Sequence, residues 1–182
     1  MSAAQPAKRA LVWALPVAAG GCGACAQSVL ALHAPRYAAE LRAKGVSFAG
    51  SPRHADVVLI TGPVTTASLD GLRDYIESVP QPRALIAVGD CAIDGGVFRG
   101  SPDLVPSLAE ALDVHVEIAG CPPAPSAVLA AIVEAAELLA GADEGNVDDD
   151  TTNDDTDEGG ADDAEDDDAD DDDAGDGEGA KA

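Results

Sequence analysis

Four cysteines are the residues of this chain whose type and spacing point to chemistry. Cys22 and Cys25 form a C-x-x-C pair, whereas Cys91 and Cys121 each stand alone beside glycine or close to it. Apolar, β-branched runs that favour strands precede the three cysteine-bearing segments, at residues 10–15, 84–88 and 114–118. Because the carboxyl ends of parallel strands share one edge of a sheet, three segments would bring four thiols together. This arrangement suits a four-thiolate metal site or an iron–sulfur site.

Strand and helix signals alternate along the segments that must position these cysteines. The apolar runs predict strands at residues 9–16, 55–61, 83–89 and 114–118. Helical patterns occupy residues 26–32, 37–42, 69–78, 106–112 and 126–140. Pro35 is expected to kink or divide the first helical stretch, and Ser68 to cap the helix over 69–78. This order, with strands that are apolar almost throughout, predicts an α/β fold in three layers around a parallel sheet.

Charge divides the chain into two parts. Residues 143–182 contain twenty-one acidic residues and one basic residue, whereas residues 1–142 contain thirteen and nine. The acidic segment holds one valine and no aromatic residue, so we expect it to be a disordered, solubilising tail. Residues 1–142 are then one domain with a single core. No basic patch offers binding to nucleic acid.

The N-terminus resembles an export signal but is better interpreted as a strand. Lys8 and Arg9 precede an apolar run that ends before Cys22, as in a lipoprotein precursor. However, the run is short and contains Pro16, and Ala19 is a weak residue at the third position before the cysteine. No stretch approaches the roughly 20 apolar residues that span a bilayer. The sequence therefore predicts neither export nor a membrane span.

Three other uses of the cysteines compete with a cluster. Disulfides do not fit a chain without a convincing export signal. Structural zinc sites usually bring two close pairs of ligands, whereas Cys91 and Cys121 are solitary. A thioredoxin-like redox pair at Cys22 and Cys25 leaves the other two cysteines unexplained. An iron–sulfur site is favoured, and zinc is the main alternative.

Four motifs together resemble a known family. They are the C-x-x-C pair after the first strand, TGPVT at 61–65, GDCAIDGGVF at 89–98 and GCPPAP at 120–125. Their order and spacing are similar to those of the small, cluster-bearing subunit shared by nickel–iron hydrogenases and respiratory complex I. The motifs look most like those of membrane-associated, complex-I-related hydrogenases. The resemblance implies a flavodoxin-like fold that holds one [4Fe–4S] cluster on Cys22, Cys25, Cys91 and Cys121.

The resemblance also implies a function. The chain would be an electron-relay subunit of an oxidoreductase complex, with a large catalytic subunit over the cluster and further iron–sulfur and membrane subunits in the same assembly. It would be cytoplasmic and peripheral on the inner face of the membrane, and inactive alone. The alternatives are the B-type subunit of a complex-I-like NADH:quinone oxidoreductase and, from another class, a zinc-stabilised docking domain. No residue is predicted to be catalytic.

Several residues are candidates for supporting roles. Gln27 stands where the family often has a glutamate implicated in proton transfer, and glutamine cannot relay a proton as a carboxylate does. Ala124 stands where complex I proteins often have arginine. Asp90 is either a loop-capping carboxylate or a group that tunes the cluster potential. Thr65 and Thr66 are candidates for tuning or for partner contact. The histidines are not expected to be ligands.

Overall fold

The computed structural model describes residues 11–142. The acidic segment 143–182 and its predicted disorder lie outside the described residues, as do residues 1–10, so the domain boundary at residue 142 stays a prediction. Within the described part of the chain, no helix combines the length and the apolarity that crossing a membrane requires.

Five parallel strands form one sheet. They are β1 Val12–Ala18, β2 Val46–Phe48, β3 Val57–Thr61, β4 Ala84–Val88 and β5 Val116–Ile118. Their order is β2-β1-β3-β4-β5, and every neighbouring pair is parallel. This is the strand order of flavodoxin-like folds, in which the chain reverses direction across the sheet between β1 and β3. The predicted fold class is confirmed.

Six helices cover the two faces of the sheet. They are α1 Ala24–Leu30, α2 Pro35–Ala43, α3 Thr66–Glu77, α4 Asp90–Asp94, α5 Leu108–Ala111 and α6 Pro125–Ala142. Pro35 does divide the first helical stretch: Ala34 before it is extended, and Pro35 begins α2. Short 3-10 turns at Ala31–His33, Pro52–His54 and Gly96–Phe98 complete the structure.

Alternation within the buried strands builds a core on each face. Along β3, Val57 and Leu59 pack on the face covered by α1, α2 and α6. Val58 and Ile60 point to the opposite face, where they pack with residues of α3, α4 and α5. Both cores include residues of β3, which is fully buried along its length. The sheet is therefore the middle of three layers, as the apolar strands predicted.

Three local features differ from the sequence predictions. The short edge strand β2 was not predicted, nor was α4, which contains Cys91. The N-cap of α3 is Thr65 rather than Ser68. The Thr65 side chain accepts a hydrogen bond from the Ser68 N–H at 3.1 Å, and the Ser68 hydroxyl accepts one from the Thr65 N–H at 3.2 Å. The two residues form a capping box, so Ser68 is the third residue of the helix rather than its cap.

Helix α6 allows a test of how strongly the core supports the sheet. Ile132 is fully buried in the core, whereas Leu138 on the same helix is 48% exposed. We expect Ile132→Ala to lower the free energy of unfolding by about 2–5 kcal/mol, because it leaves a cavity. Leu138→Ala should change it by about 0.5 kcal/mol or less. Urea unfolding of both variants measures the difference, and equal losses would contradict the packing described above.

Candidate metal centre

The carboxyl edge of the sheet contains a cleft that all four cysteines line. Its walls come from the turn after β1, the end of β3, the start of α4 and the turn after β5. The lining residues are Gly20, Gly21, Cys22, Gly23, Ala24, Cys25, Ala26, Thr61, Gly62, Cys91 and Cys121. The cleft therefore lies beside the point between β1 and β3 where flavodoxin-like sheets bind their ligands.

Cys22 and Cys25 reach the cleft from the start of α1. Cys22 is exposed in the turn before the helix, and Cys25 is partly buried in its first turn. Gly23 between them has φ +80° and forms the N-terminal boundary of the helix. Its carbonyl accepts the N–H of Gln27 at 3.0 Å. The sharp turn and the helix thus direct both members of the pair to the same cleft.

Cys91 is held by α4 and by the turn that follows this helix. It is the second residue of α4 and is partly buried. The backbone N–H of Val97 donates a hydrogen bond to the thiol. Asp94 at the end of α4 fixes this turn, because one carboxylate oxygen accepts the Gly96 N–H at 3.0 Å and the other pairs with Arg99.

Cys121 lies exposed in the turn after β5, close to the start of α4. The Gly89 N–H donates to the Ile118 carbonyl at 2.8 Å, extending the pairing of β4 with β5. Beyond this bond, Asp90 and Gly120 exchange two hydrogen bonds. The Asp90 N–H donates to the Gly120 carbonyl at 3.1 Å, and the Gly120 N–H donates to the Asp90 Oδ1 at 2.6 Å.

The electrostatics of the cleft oppose free thiolates. Burial raises the pKa of Cys25, and the other three thiols and Asp90 raise it further. Burial also raises the pKa of Cys91, the Val97 N–H lowers it, and Cys121, Cys22 and Asp90 raise it. Four thiolates at this edge would need positive charge among them, which bound iron or zinc supplies.

The backbone around the thiols leaves no room for additional side-chain atoms. Gly89 has φ +89°, and a Cβ at this position would overlap the Cys25 Sγ. A Cβ at Gly96 would lie 3.0 Å from the Cys91 Sγ. Such close approach of backbone to sulfur provides N–H groups near a bound group. A donor set of four cysteines in a backbone cradle fits an iron–sulfur cluster.

The thiols line the cleft without meeting at one point. Among residues 11–142, no three His, Cys, Asp or Glu side chains converge closely enough to hold a single metal ion. The three histidines lie elsewhere than the lining of this cleft: His33 stacks on Phe48, and His115 accepts the Leu85 N–H at 3.3 Å.

Comparison with known proteins identifies the family. Residues 22–135 match the family described as NADH ubiquinone oxidoreductase, 20 Kd subunit. The chain belongs to this family. The match covers more than half of the chain and includes all four cysteines.

Relatives of this 20-kDa subunit family come from different complexes. The chain is 42% identical over 135 residues to the probable membrane-bound hydrogenase subunit mbhJ of Pyrococcus furiosus, covering 74% of this chain and 80% of that protein. It is 34% identical over 134 residues to the B-type subunit of the NADH-quinone oxidoreductase of Citrifermentans bemidjiense, covering 74% and 75%. Among solved structures, the membrane-bound sulfane sulfur reductase, an archaeal respiratory membrane complex, has a chain with a TM-score of 0.61 and 31% identity, covering 74% and 73%.

Some residues of this family member have local roles that their sequence did not reveal. Thr65 caps α3, and the N–H of Thr66 donates to the Asp103 carbonyl at 2.9 Å. Thr61 lines the cysteine cleft and was not predicted to do so, although its position at the end of β3 is the signal that places it there. Gln27 is exposed on α1, just beyond the cleft lining, and Ala124 is exposed before α6.

The contact between Gly89 and Cys25 predicts a substitution effect. We expect Gly89→Ala to displace the Cys25 side chain and to lower the free energy of unfolding by about 1–3 kcal/mol through overpacking and backbone strain. Gly100→Ala is the matched control, since Gly100 has φ +85° but nothing lies within 4 Å of the added Cβ. Urea unfolding and the rate of Cys25 alkylation measure the two effects. Equal alkylation rates in both variants would contradict this assignment of the contact.

Proposed function

We propose that this chain is the electron-transfer subunit of a multisubunit oxidoreductase and holds one [4Fe–4S] cluster on Cys22, Cys25, Cys91 and Cys121. The observation that carries the proposal is the convergence of all four cysteines, from three separate segments, on one cleft at the carboxyl edge of the sheet. Membership of a family of oxidoreductase subunits supports the same function.

The donor set and its spacing favour a cluster over a single zinc ion. A zinc site draws four ligands to about 2.3 Å from one metal. A [4Fe–4S] cluster takes its four thiolates on four different iron atoms, which suits sulfurs spread along a cleft. The backbone N–H of Val97 at Cys91 also matches the hydrogen bonding to sulfur that tunes cluster potentials.

The residues around the cleft are suited to holding a redox group rather than to making bonds. Apart from the thiols, the lining consists of glycine, alanine and one threonine, Thr61. The Thr61 hydroxyl is directed to the Val17 carbonyl at 3.4 Å. The cluster, when bound, supplies one-electron transfer, and the chain provides its ligands, backbone N–H groups and orientation. Catalysis therefore belongs to a partner subunit, and this chain alone has no activity.

The surface beside the cleft supports docking of a large catalytic subunit. Val97 is 80% exposed and Phe98 is 53% exposed, both in the turn next to Cys91. A second cleft, lined by Phe98 and Pro63 among others, shares Gly21 with the cysteine cleft. Exposed apolar side chains next to a site typically mark an interaction surface. A subunit docked here would cover Cys22 and Cys121, which are exposed in this chain.

The chemistry of the partner divides the proposal in two. We favour a hydrogenase-like large subunit, because the relative with 42% identity is named as a membrane-bound hydrogenase subunit. The second candidate is a complex-I-like quinone oxidoreductase, supported by the 34% identity to the B-type subunit of an NADH-quinone oxidoreductase. In either assembly the chain would be cytoplasmic, bound to the inner face of the membrane through further iron–sulfur and membrane subunits.

Iron and sulfide analysis of the full chain tests the cluster directly. After anaerobic purification we expect about four irons and four sulfides per chain, since a cluster of this type takes four cysteine ligands. A reduced-state EPR signal should accompany them. Changing Cys91 or Cys121 to serine should remove most of the iron while the unfolding transition of the domain persists.

The same measurement separates the cluster from its alternative. Stoichiometric zinc without iron would overturn the electron-relay function and leave a zinc-stabilised docking domain. Chemical reconstitution with iron and sulfide distinguishes loss during purification from inability to bind, and a chain that takes up neither would contradict the proposal.

The apolar surface predicts how the partner binds. We expect Phe98→Asp to reduce co-purification of the native large subunit by about tenfold or more, because a buried aromatic anchor is replaced by a charge. Iron content should be unchanged. Leu138→Asp, which also charges an exposed apolar position but on α6, is the control. Equal retention of the partner by both variants would contradict docking at this edge, and a pair of C-x-x-C motifs with nickel in the captured partner would select the hydrogenase branch.

A further inference from the structure

Asp90 occupies an unusual position between two of the cysteines. It immediately precedes Cys91, and its hydrogen-bonding partner Gly120 immediately precedes Cys121. The two residues are joined reciprocally, by the Asp90 N–H to the Gly120 carbonyl at 3.1 Å and by the Gly120 N–H to the Asp90 Oδ1 at 2.6 Å. The segments that carry Cys91 and Cys121 are thus fastened together at the residue before each thiol.

The side-chain half of this connection is the part that a substitution can change. The Gly89 to Ile118 bond extends the pairing of β4 with β5, and the Asp90 N–H continues it, so both backbone bonds persist whatever side chain stands at position 90. The bond from the Gly120 N–H to the carboxylate depends on the side chain alone. Hydrogen bonds to charged acceptors are short and about twice as strong as neutral ones.

The charge of Asp90 also acts on the cleft. The carboxylate is partly buried beside Cys91, where solvent screening is reduced. Its negative charge contributes to the raised pKa of both Cys25 and Cys91, after the larger contributions of burial and of the other thiols. The field of this carboxylate therefore reaches thiols on two different segments.

We propose that Asp90 is a positioning residue that fixes the spacing of Cys91 and Cys121 through its hydrogen bond to Gly120 and lowers the reduction potential of the bound cluster through its negative charge. This inference rests on the proposed function. Reduction adds one electron to the cluster, and a fixed negative charge nearby disfavours the reduced form. The two effects are separable, because asparagine retains the accepting oxygen and loses the charge.

Two substitutions at Asp90 and one control, made in the full chain, test the proposal. Asp90→Asn should retain iron as the unchanged chain does and titrate at a more positive potential in an EPR-monitored redox titration. Asp90→Ala should lose iron to a chelator faster by a factor on the order of ten, as expected for a lost hydrogen bond to a charged group. Asp113→Asn is the control, since Asp113 is exposed just before β5, at the opposite edge of the sheet.

The outcomes distinguish this proposal from the proposed function. An iron-loaded Asp90→Asn chain with an unchanged potential would overturn the proposal and leave the cluster assignment intact. Iron loss from Asp90→Asn as fast as from Asp90→Ala would also overturn it, because the retained oxygen would then contribute nothing. An equal shift of potential in Asp113→Asn would show a general charge effect and contradict a specific role. Absence of iron and sulfide from the unchanged chain would overturn both proposals.

Discussion

The candidate site depends on the parallel alignment of the strands, because this alignment places the ends of β1, β3, β4 and β5 at one edge of the sheet. A thiol that follows a strand within a few residues can then reach the thiols that follow the others. An antiparallel neighbour would send its loop to the opposite edge. The buried strands, of which β3 and β4 are covered along their whole length, hold this edge in place. Core packing and ligand geometry are therefore one problem in this protein.

Much of this arrangement could be predicted from the sequence because its signals are local. Strands buried on both faces appear as short apolar runs, and β3 and β4 are of this kind. The cysteines follow such runs, so a parallel sheet brings them together whatever the details of the turns. Pro35 marks the break between α1 and α2 for an equally local reason, since proline disfavours helical backbone in the residue before it.

The features that escaped prediction depend on contacts between distant segments. Strand β2 has only three residues, and pairing with β1 rather than its own composition makes it a strand. Thr65 and Ser68 are both good capping residues, and their sequence does not say which one takes the first position. The connection between Asp90 and Gly120 spans thirty positions and exists only because β4 and β5 are neighbours. Local pattern specifies the elements, whereas their contacts specify the site.

Exposure and charge at the cysteine cleft place opposing demands on the chain. A redox group that exchanges electrons with a partner must lie near the surface, and Cys22 and Cys121 are exposed accordingly. Solvent near the thiols also affects the potential of such a group. A docked partner that covers Val97 and Phe98 would remove that solvent and strengthen the local electrostatics, including the field of Asp90. The isolated chain is thus electrostatically incomplete, and its redox properties are set jointly with the protein that covers this edge.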